Sequence, residues 1–392
     1  MNFPRIALLS WCSPASRYAG GAAIRRLLSR LPPERLRWCG FHAGDGAAKD
    51  LPDYRAFPPQ TLHWRLSGSF VEHAYVDWLQ ARAVAARMWD WLAPFKPEVL
   101  WVVPEVWAVS VGRELQRLCG LPLHATLHDA PESARYGALP RAYVPFYRAG
   151  MRRLLGGARS VDAVSEGLVA HLRQGYGLLP HCDTVVVPPS VEADLAQPVV
   201  QPDWGGPQER RIGVCGSLRQ SPEQWRSFLK TLGRLPHAVT LVSFTARDAF
   251  PSVNPPANVR FEFQPYADSE RAVVQAFGGV DATYLGLWTD ADRRLFGETS
   301  LSSKLTTYAA AARPVIVDAA PESVAWRLVG QFDAGLRLEG QGERDAAALA
   351  GLFTDAARWE RMAAGAQKLC LEHFDLDRNV TRLKEQLCRN LT

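Results

Sequence analysis

In this 392-residue sequence the densest run of chemically useful side chains is residues 296–318, FGETSLSSKLTTYAAAARPVIVD. Ser300, Ser302 and Ser303 put hydroxyls where a helix would begin, and Lys304 follows in its first turn. Hydroxyls at such positions cap free backbone N–H groups. A helix N-terminus fed by small residues also seats anions, because its unpaired N–H groups and dipole both face the ligand. Lys304 is poorly placed for the dipole and well placed to meet a phosphate. The residues alone leave two readings: a phosphate seat, or an ordinary helix–strand unit with a solvated lysine.

Three other stretches carry comparable chemistry. Residues 210–219, RRIGVCGSLR, read as a strand reaching Gly213 and Gly216, then a polar turn with Ser217 and Arg219. With a helix from about Pro222, this is a second βα phosphate seat. Thr126-Leu127-His128-Asp129 ends another strand, and open α/β sheets place ligand contacts at such carboxyl ends. The alternative is a structural histidine capping the next turn. Gly20 and Gly21 close a loop between a first strand and a helix, as a ligand turn or simply a tight one. GxGxxG spacing is absent, which argues against a dinucleotide site. No HExxH, GxSxG or Walker loop occurs, which removes zinc proteolysis, the hydrolase elbow and P-loop hydrolysis.

The positioning elements are legible from periodicity. Leu305, Tyr308, Ala309 and Ala312 recur at helical spacing, Pro314 stops that helix, and Val315-Ile316-Val317 suits a buried strand. Strands are expected at 5–10, 98–103, 122–127, 160–165, 184–188, 240–244, 259–263 and 282–287. Helices are expected at 22–31, 71–92, 109–118 and 377–391. Residues 40–70 read as loop-rich, and Pro145 and Gly150 are expected to interrupt any long helix in the cationic, aromatic stretch 135–159. Strands alternating with helices in both halves predict parallel sheets.

Length and composition fit two globular domains with ample core, 47% apolar and 22% charged. Seven scattered cysteines, none in a CxxC pair, argue against disulfides or a zinc site and for a reducing compartment. Residues 1–190 carry 22 Lys/Arg against 15 Asp/Glu, whereas the rest carries 23 against 25. A basic half suggests an anionic partner. Nucleic acid would satisfy this charge, but no nucleic-acid motif is readable; an anionic membrane surface fits equally well. No apolar run approaches the roughly 18 residues of a membrane span, and no cationic-then-apolar leader opens the sequence. The expected location is the cytoplasm, with or without peripheral attachment at the inner face of a membrane.

The pattern SxSSKLxxYxAxARPVI resembles the donor-binding helix of retaining GT-B glycosyltransferases of family 4. Ser300, Ser302, Lys304, Leu305, Tyr308, Pro314, Val315 and Ile316 carry the match. Thr307 stands where relatives have the glutamate that grips the donor ribose, and Ala312 replaces a glycine. The resemblance implies an α/β GT-B fold of two Rossmann-like domains facing a cleft. The expected bounds are 1–192, a linker at 193–208, a donor domain at 209–375, and a helix at 376–392 crossing back. Val164-Ser165-Glu166 and Pro188-Pro189-Ser190-Val191-Glu192 resemble further family turns. By the same resemblance, His128 faces the donor sugar, Glu298 or Thr299 meets its hydroxyls, and Gly20 and Gly21 lie near the donor phosphate. Relatives place arginine then lysine after Gly216; here Ser217 stands first, no lysine follows in register, and Arg219 is the nearest cation. The implied reaction moves a sugar from a nucleotide sugar to a carbohydrate or lipid-linked acceptor, such as a surface-polysaccharide precursor. It retains configuration and needs no metal or cofactor. Lys304, Arg219 and the N–H groups near 300–303 would hold the leaving diphosphate instead. The alternative is a catalytically silent GT-B-like subunit that binds a sugar nucleotide or a partner enzyme. An epimerase on the same fold would need cleft carboxylates that the sequence does not assign.

Overall fold

The computed structural model describes residues 3–14, 19–42, 51–60, 62, 64–136, 139–202, 209–216, 220–244, 253–265 and 269–390. The chain divides into two units: Met1–Pro188 with Leu376–Thr392, and Pro189–Asp375.

The first unit is built on β1 (Ile6–Ser10), β2 (Leu36–Gly40), β3 (Asp53–Ala56), β4 (Val99–Val103), β5 (Leu123–Leu127), β6 (Ala158–Ala163) and β7 (Asp183–Val186). Their order is β3-β2-β1-β4-β5-β6-β7, and every pairing is parallel. β1, β4 and β5 are buried along their whole length, as their near-continuous apolar sequences require when helices cover both sheet faces. The core runs through Ile6, Leu8, Trp38 and Trp101. Leu376, Val380, Leu383 and Leu387 of the last helix, Leu376–Arg389, join it at spacings of three and four. Polar bonds fix the end of that helix to the sheet. Gln386 Nε2 donates to the carbonyls of Val161 (3.2 Å) and Asp183 (3.0 Å), and Asn390 Nδ2 to Ser160 Oγ (2.8 Å).

The second unit holds β8 (Glu209–Cys215), β9 (Ala238–Phe244), β10 (Val259–Phe263), β11 (Ala282–Gly286), β12 (Val315–Asp318) and β13 (Gly335–Leu338). These too are all parallel, in the order β10-β9-β8-β11-β12-β13. Trp225, Phe228, Tyr284, Phe353 and Trp359 centre its core, and among the described residues Trp38, Trp101, Trp225 and Trp359 are fully buried. Each sheet reverses direction beside its first strand, between β1 and β4 and between β8 and β11. Open α/β sheets take ligands at the carboxyl ends flanking such a reversal.

Three local expectations are corrected. β3 lies inside the stretch 40–70 read as loop-rich, because Asp-Tyr-Arg-Ala is a short edge strand with no apolar signal, and β2 before it has no counterpart among the expected strands. Pro145 and Gly150 do not break a helix: Val144–Gly156 is continuous. Pro145 sits in the first turn, where its missing N–H has no partner to lose. Gly150 lets this helix approach closely, since a Cβ there would lie 3.2 Å from Val109 Cγ1. The helical stretch from Phe70 to Leu92 is interrupted by a π-turn at Val76–Gln80. Residues 203–208 of the expected linker lie outside the described residues.

Candidate functional site

In the first unit, a cavity of about 230 Å³ opens at the carboxyl ends of β4 and β5, lined among others by Glu105, Val106, Thr126, His128, Asp129 and Tyr147. His128 Nδ1 stands 3.7 Å from Glu105 Oε1, an ion-pair rather than hydrogen-bond distance. Gly20, in the first turn of the helix Ala19–Leu28, lies close against this pair. A Cβ at Gly20 would lie 3.4 Å from His128 Nδ1 and 3.6 Å from Glu105 Oε1. Gly21 follows in the same helix and is buried. Burial works against the imidazolium of His128, but Glu105, with Asp162 and Asp129 behind it, outweighs burial and raises the pKa above its ordinary value. Val106 takes φ +46°, a strained region for a β-branched residue, and such strain concentrates at ligand sites.

Beneath the cavity lies a sealed polar network. Trp101 Nε1 donates to Thr126 Oγ1 at 2.7 Å, and Thr126 donates to Asp162. His124 bonds Asp162 through Nε2 and Ser160 through Nδ1, both at 2.7 Å. Ser, His and Asp are joined here, yet all three are at most 1% exposed. They tie β5 to β6 and to Asn390 and cannot reach a substrate. Just past the cavity wall, Glu132 pairs with His171 at 2.9 Å and with Arg148 at 3.1 Å. Burial would raise the Glu132 pKa, but hydrogen bonds from His171 and Tyr176 outweigh it and hold the carboxyl at about 2.

In the second unit the relevant end is that of β8. Gly216 takes φ +64°, and a Cβ on it would lie 3.3 Å from Lys304 Cε. The lysine stem therefore lies across the glycine. Cys215 N–H donates to Tyr308 Oη at 2.9 Å, which ties the end of β8 to the helix Ser303–Ala310. Ser302 occupies the N-cap of that helix but makes no side-chain cap bond, contrary to the expected hydroxyl capping. Ser221, Ser269 and Ser323 do cap their helices. Ser300 Oγ is buried and lacks a hydrogen-bond partner. Beside this, Tyr284 Oη donates to Asp318 Oδ2 at 2.8 Å and accepts from Gln220 Nε2 at 3.2 Å.

The other sequence-selected residues stand as follows. Glu298 pairs with Arg294 at 2.8 Å, and Arg294 also holds Glu322 at 2.6 Å. Thr299 is buried, and its hydroxyl donates to the Leu295 carbonyl at 2.6 Å, within its own helix. Thr307 is half-buried in the helix Ser303–Ala310. Ser217 and Arg219 lie outside the described residues. The structure thus brings Gly20 to His128 and Gly216 to Lys304. Sequence reading missed Glu105 and Val106, for which no spacing or motif gave a signal. Ala312 takes φ +49°, the left-handed position that a glycine would occupy without strain.

Residues 46–195 match the model of Glycosyltransferase Family 4. No curated protein matches the sequence. Among solved structures, Anabaena HepE in complex with UDP and glucose is 16% identical, with TM-score 0.68, covering 98% of this chain and 100% of that one. A sucrose-phosphate synthase from Thermosynechococcus elongatus is 12% identical, with TM-score 0.66 and 98% of each chain covered. A UDP-forming α,α-trehalose-phosphate synthase from Burkholderia xenovorans, in complex with glucose-6-phosphate, is 11% identical, with TM-score 0.63 and 98% and 100% covered. Two parallel α/β sheets and this likeness over the full length give the chain the GT-B fold of glycosyltransferases.

Proposed function

We propose that this chain is a retaining, metal-independent glycosyltransferase that moves a sugar from a nucleotide-sugar donor to a hydroxyl acceptor. The observation that carries the reading is the end of β8, where Lys304 lies across Gly216 beside a helix whose N-cap side chain, Ser302, makes no bond to the first turn. The N–H groups of that turn, the ammonium and the buried Ser300 hydroxyl suit a diphosphate. Breaking the sugar C1–O bond sends its electron pair to that diphosphate. Fixed donors accelerate transfer because they stabilise charge that grows in the transition state. The leaving phosphate oxygen takes the acceptor's proton, and the acceptor oxygen attacks C1 from the face it leaves. Arg219 would add a second cation, and Ser302 and Thr307 would line the same seat.

The cavity beside His128 suits a single sugar ring, being smaller than the roughly 300–1,000 Å³ of drug-sized pockets. A cationic His128 would donate to a sugar oxygen, with Glu105 setting its charge. Glu298 would need to leave Arg294 to meet a sugar hydroxyl. A carbohydrate or lipid-linked acceptor fits the basic first half. The test is turnover: incubate the chain with a panel of nucleotide sugars and candidate acceptors, with and without chelator, and follow product anomers by NMR. Chelator-insensitive transfer with retained configuration is expected. Nucleotide binding with no turnover on any acceptor would favour the silent-subunit reading.

A further inference from the structure

Of the large apolar side chains exposed among the described residues, half lie on two segments of the first unit, 66–79 and the helix Val144–Gly156: Leu66, Val71, Trp78, Leu79 and Phe146. Trp78 is 60% exposed, Leu79 72%, Val71 52% and Phe146 47%. Trp78 and Phe146 belong to one ring cluster, and Leu79 adjoins Trp78 in the chain. Phe70, Trp78 and Phe146 touch ring to ring, with centroids 5.6–6.3 Å apart in each of the three pairs. Contiguous exposed apolar surface of this kind marks an interaction site.

The backbone turns these side chains outward. Val76 and Gln80 bracket the π-turn and stay buried, while Trp78 and Leu79 between them face out. A π-turn adds a residue to the helical period, and such insertions cluster at functional positions. Gln80 is fixed by two bonds to the Gln60 backbone, at 2.6 and 2.9 Å, so the turn is braced from below.

On the two segments that carry these side chains, residues 64–82 and 133–161, the exposed charges among the described residues are all cationic. Between Glu132 and Asp162 the sequence contains six arginines and no acid. Arg141 and Arg153, flanking Phe146 on and before the helix Val144–Gly156, are exposed, as is Arg82 after Leu79. The two acids of residues 64–82 are turned inward: Glu72 is buried and accepts from Gly68 N–H, and Asp77 accepts from Ser110. Tryptophan, leucine and phenylalanine ringed by arginine form the composition that lies in a membrane interface, with apolar groups in the headgroup–acyl boundary and cations on anionic lipid. Among the described residues no helix is long and apolar enough to cross a membrane.

We infer that this patch docks the first unit peripherally on an anionic phospholipid bilayer, with Trp78, Leu79 and Phe146 inserted and Arg141, Arg153 and Arg82 on the headgroups. The inference concerns binding and does not depend on the transferase reading. The test is co-sedimentation with vesicles of phosphatidylcholine alone and with about one-third phosphatidylglycerol, at low and high salt. The wild-type chain is expected to bind the anionic vesicles and to ignore the neutral ones. Trp78→Ser with Leu79→Ser should abolish binding with an unchanged melting temperature, because both residues are exposed. Arg141→Gln with Arg153→Gln should lower the partition coefficient about 30-fold, at roughly one charge-contact energy per arginine. No binding by the wild type at low salt, or full binding by both double variants, would overturn the inference. So would concentration-dependent self-association that the Trp78/Leu79 variant loses, since the patch would then seat a second copy of the chain.

Discussion

Replacing Glu132 with glutamine removes the charge that anchors the turn leading out of His128-Asp129-Ala130-Pro131, part of the cavity wall. The Glu132 side chain is only 15% exposed and takes bonds from His171 and Arg148. Its pKa stands at about 2 against an ordinary 4.5. At about 1.36 kcal/mol per pKa unit, that difference is worth about 3 kcal/mol at neutral pH. Glutamine keeps one acceptor and recovers about 1 kcal/mol, so the expected loss is about 2 kcal/mol. The sign follows from a depressed carboxylate: the stabilisation is full above the unfolded pKa of 4.5 and is lost as pH falls toward 2. Urea unfolding of wild type and Glu132→Gln, followed by tryptophan fluorescence from pH 7 to pH 3, reads this directly. The gap should be widest at pH 7 and shrink steadily below about pH 4.5. A gap that is absent at pH 7, or constant down to pH 3, would refute the charge-anchor reasoning.

Asp77 tests the opposite sign, because burial pushes its carboxyl up to about 6 despite the Ser110 bond and Arg113. Ionised Asp77 therefore costs stability as pH rises through 6, and Asp77→Asn should stabilise the protein by about 3 kcal/mol at pH 8 and by little at pH 4, read from thermal melts at both. Equal effects at both pH values would count against it. Gly216→Ala forces a Cβ into a left-handed position and against the Lys304 stem. The expected cost is about 1 kcal/mol of stability in thermal melts, after the unfolded-state gain is subtracted, with a larger loss of nucleotide affinity. Gly335→Ala should prevent folding of the second unit, since its Cβ would fall 2.0 Å from the Val315 carbonyl oxygen, inside the β12–β13 pairing. A soluble variant with a native melt would contradict that register.

Much of the fold was legible because parallel strands buried on both faces are apolar runs that stand out from their flanks, as in β1, β4 and β12. β3 escaped because an edge strand of four residues carries no apolar alternation. Pro145 misled because a proline reads as a breaker unless the helix start is known, and the π-turn left the helical pattern around it intact. At the candidate sites, His128 and Lys304 were visible as the unusual residues at a strand end and a helix start. Their partners were not. Glu105 reaches His128 across strands, and the strain at Val106 is a backbone angle that no side-chain spacing encodes. The unused cap at Ser302 could not be read either, since a serine before a helix looks the same whether or not its hydroxyl turns inward.

A diphosphate seat at Lys304 and Gly216 is tested by a thermal-shift panel of nucleoside diphosphates on wild type and Lys304→Ala. A nucleotide at about 100 times its Kd stabilises by about 2.7 kcal/mol, roughly 6–7 °C for a unit of about 190 residues. One nucleotide should shift the wild type by about that much. Lys304→Ala, losing a charge-assisted contact of about 1.5–3 kcal/mol, should bind it some 10- to 100-fold more weakly. If no nucleotide shifts the wild type, or if Lys304→Ala shifts as fully as the wild type does, the seat is not where the account puts it.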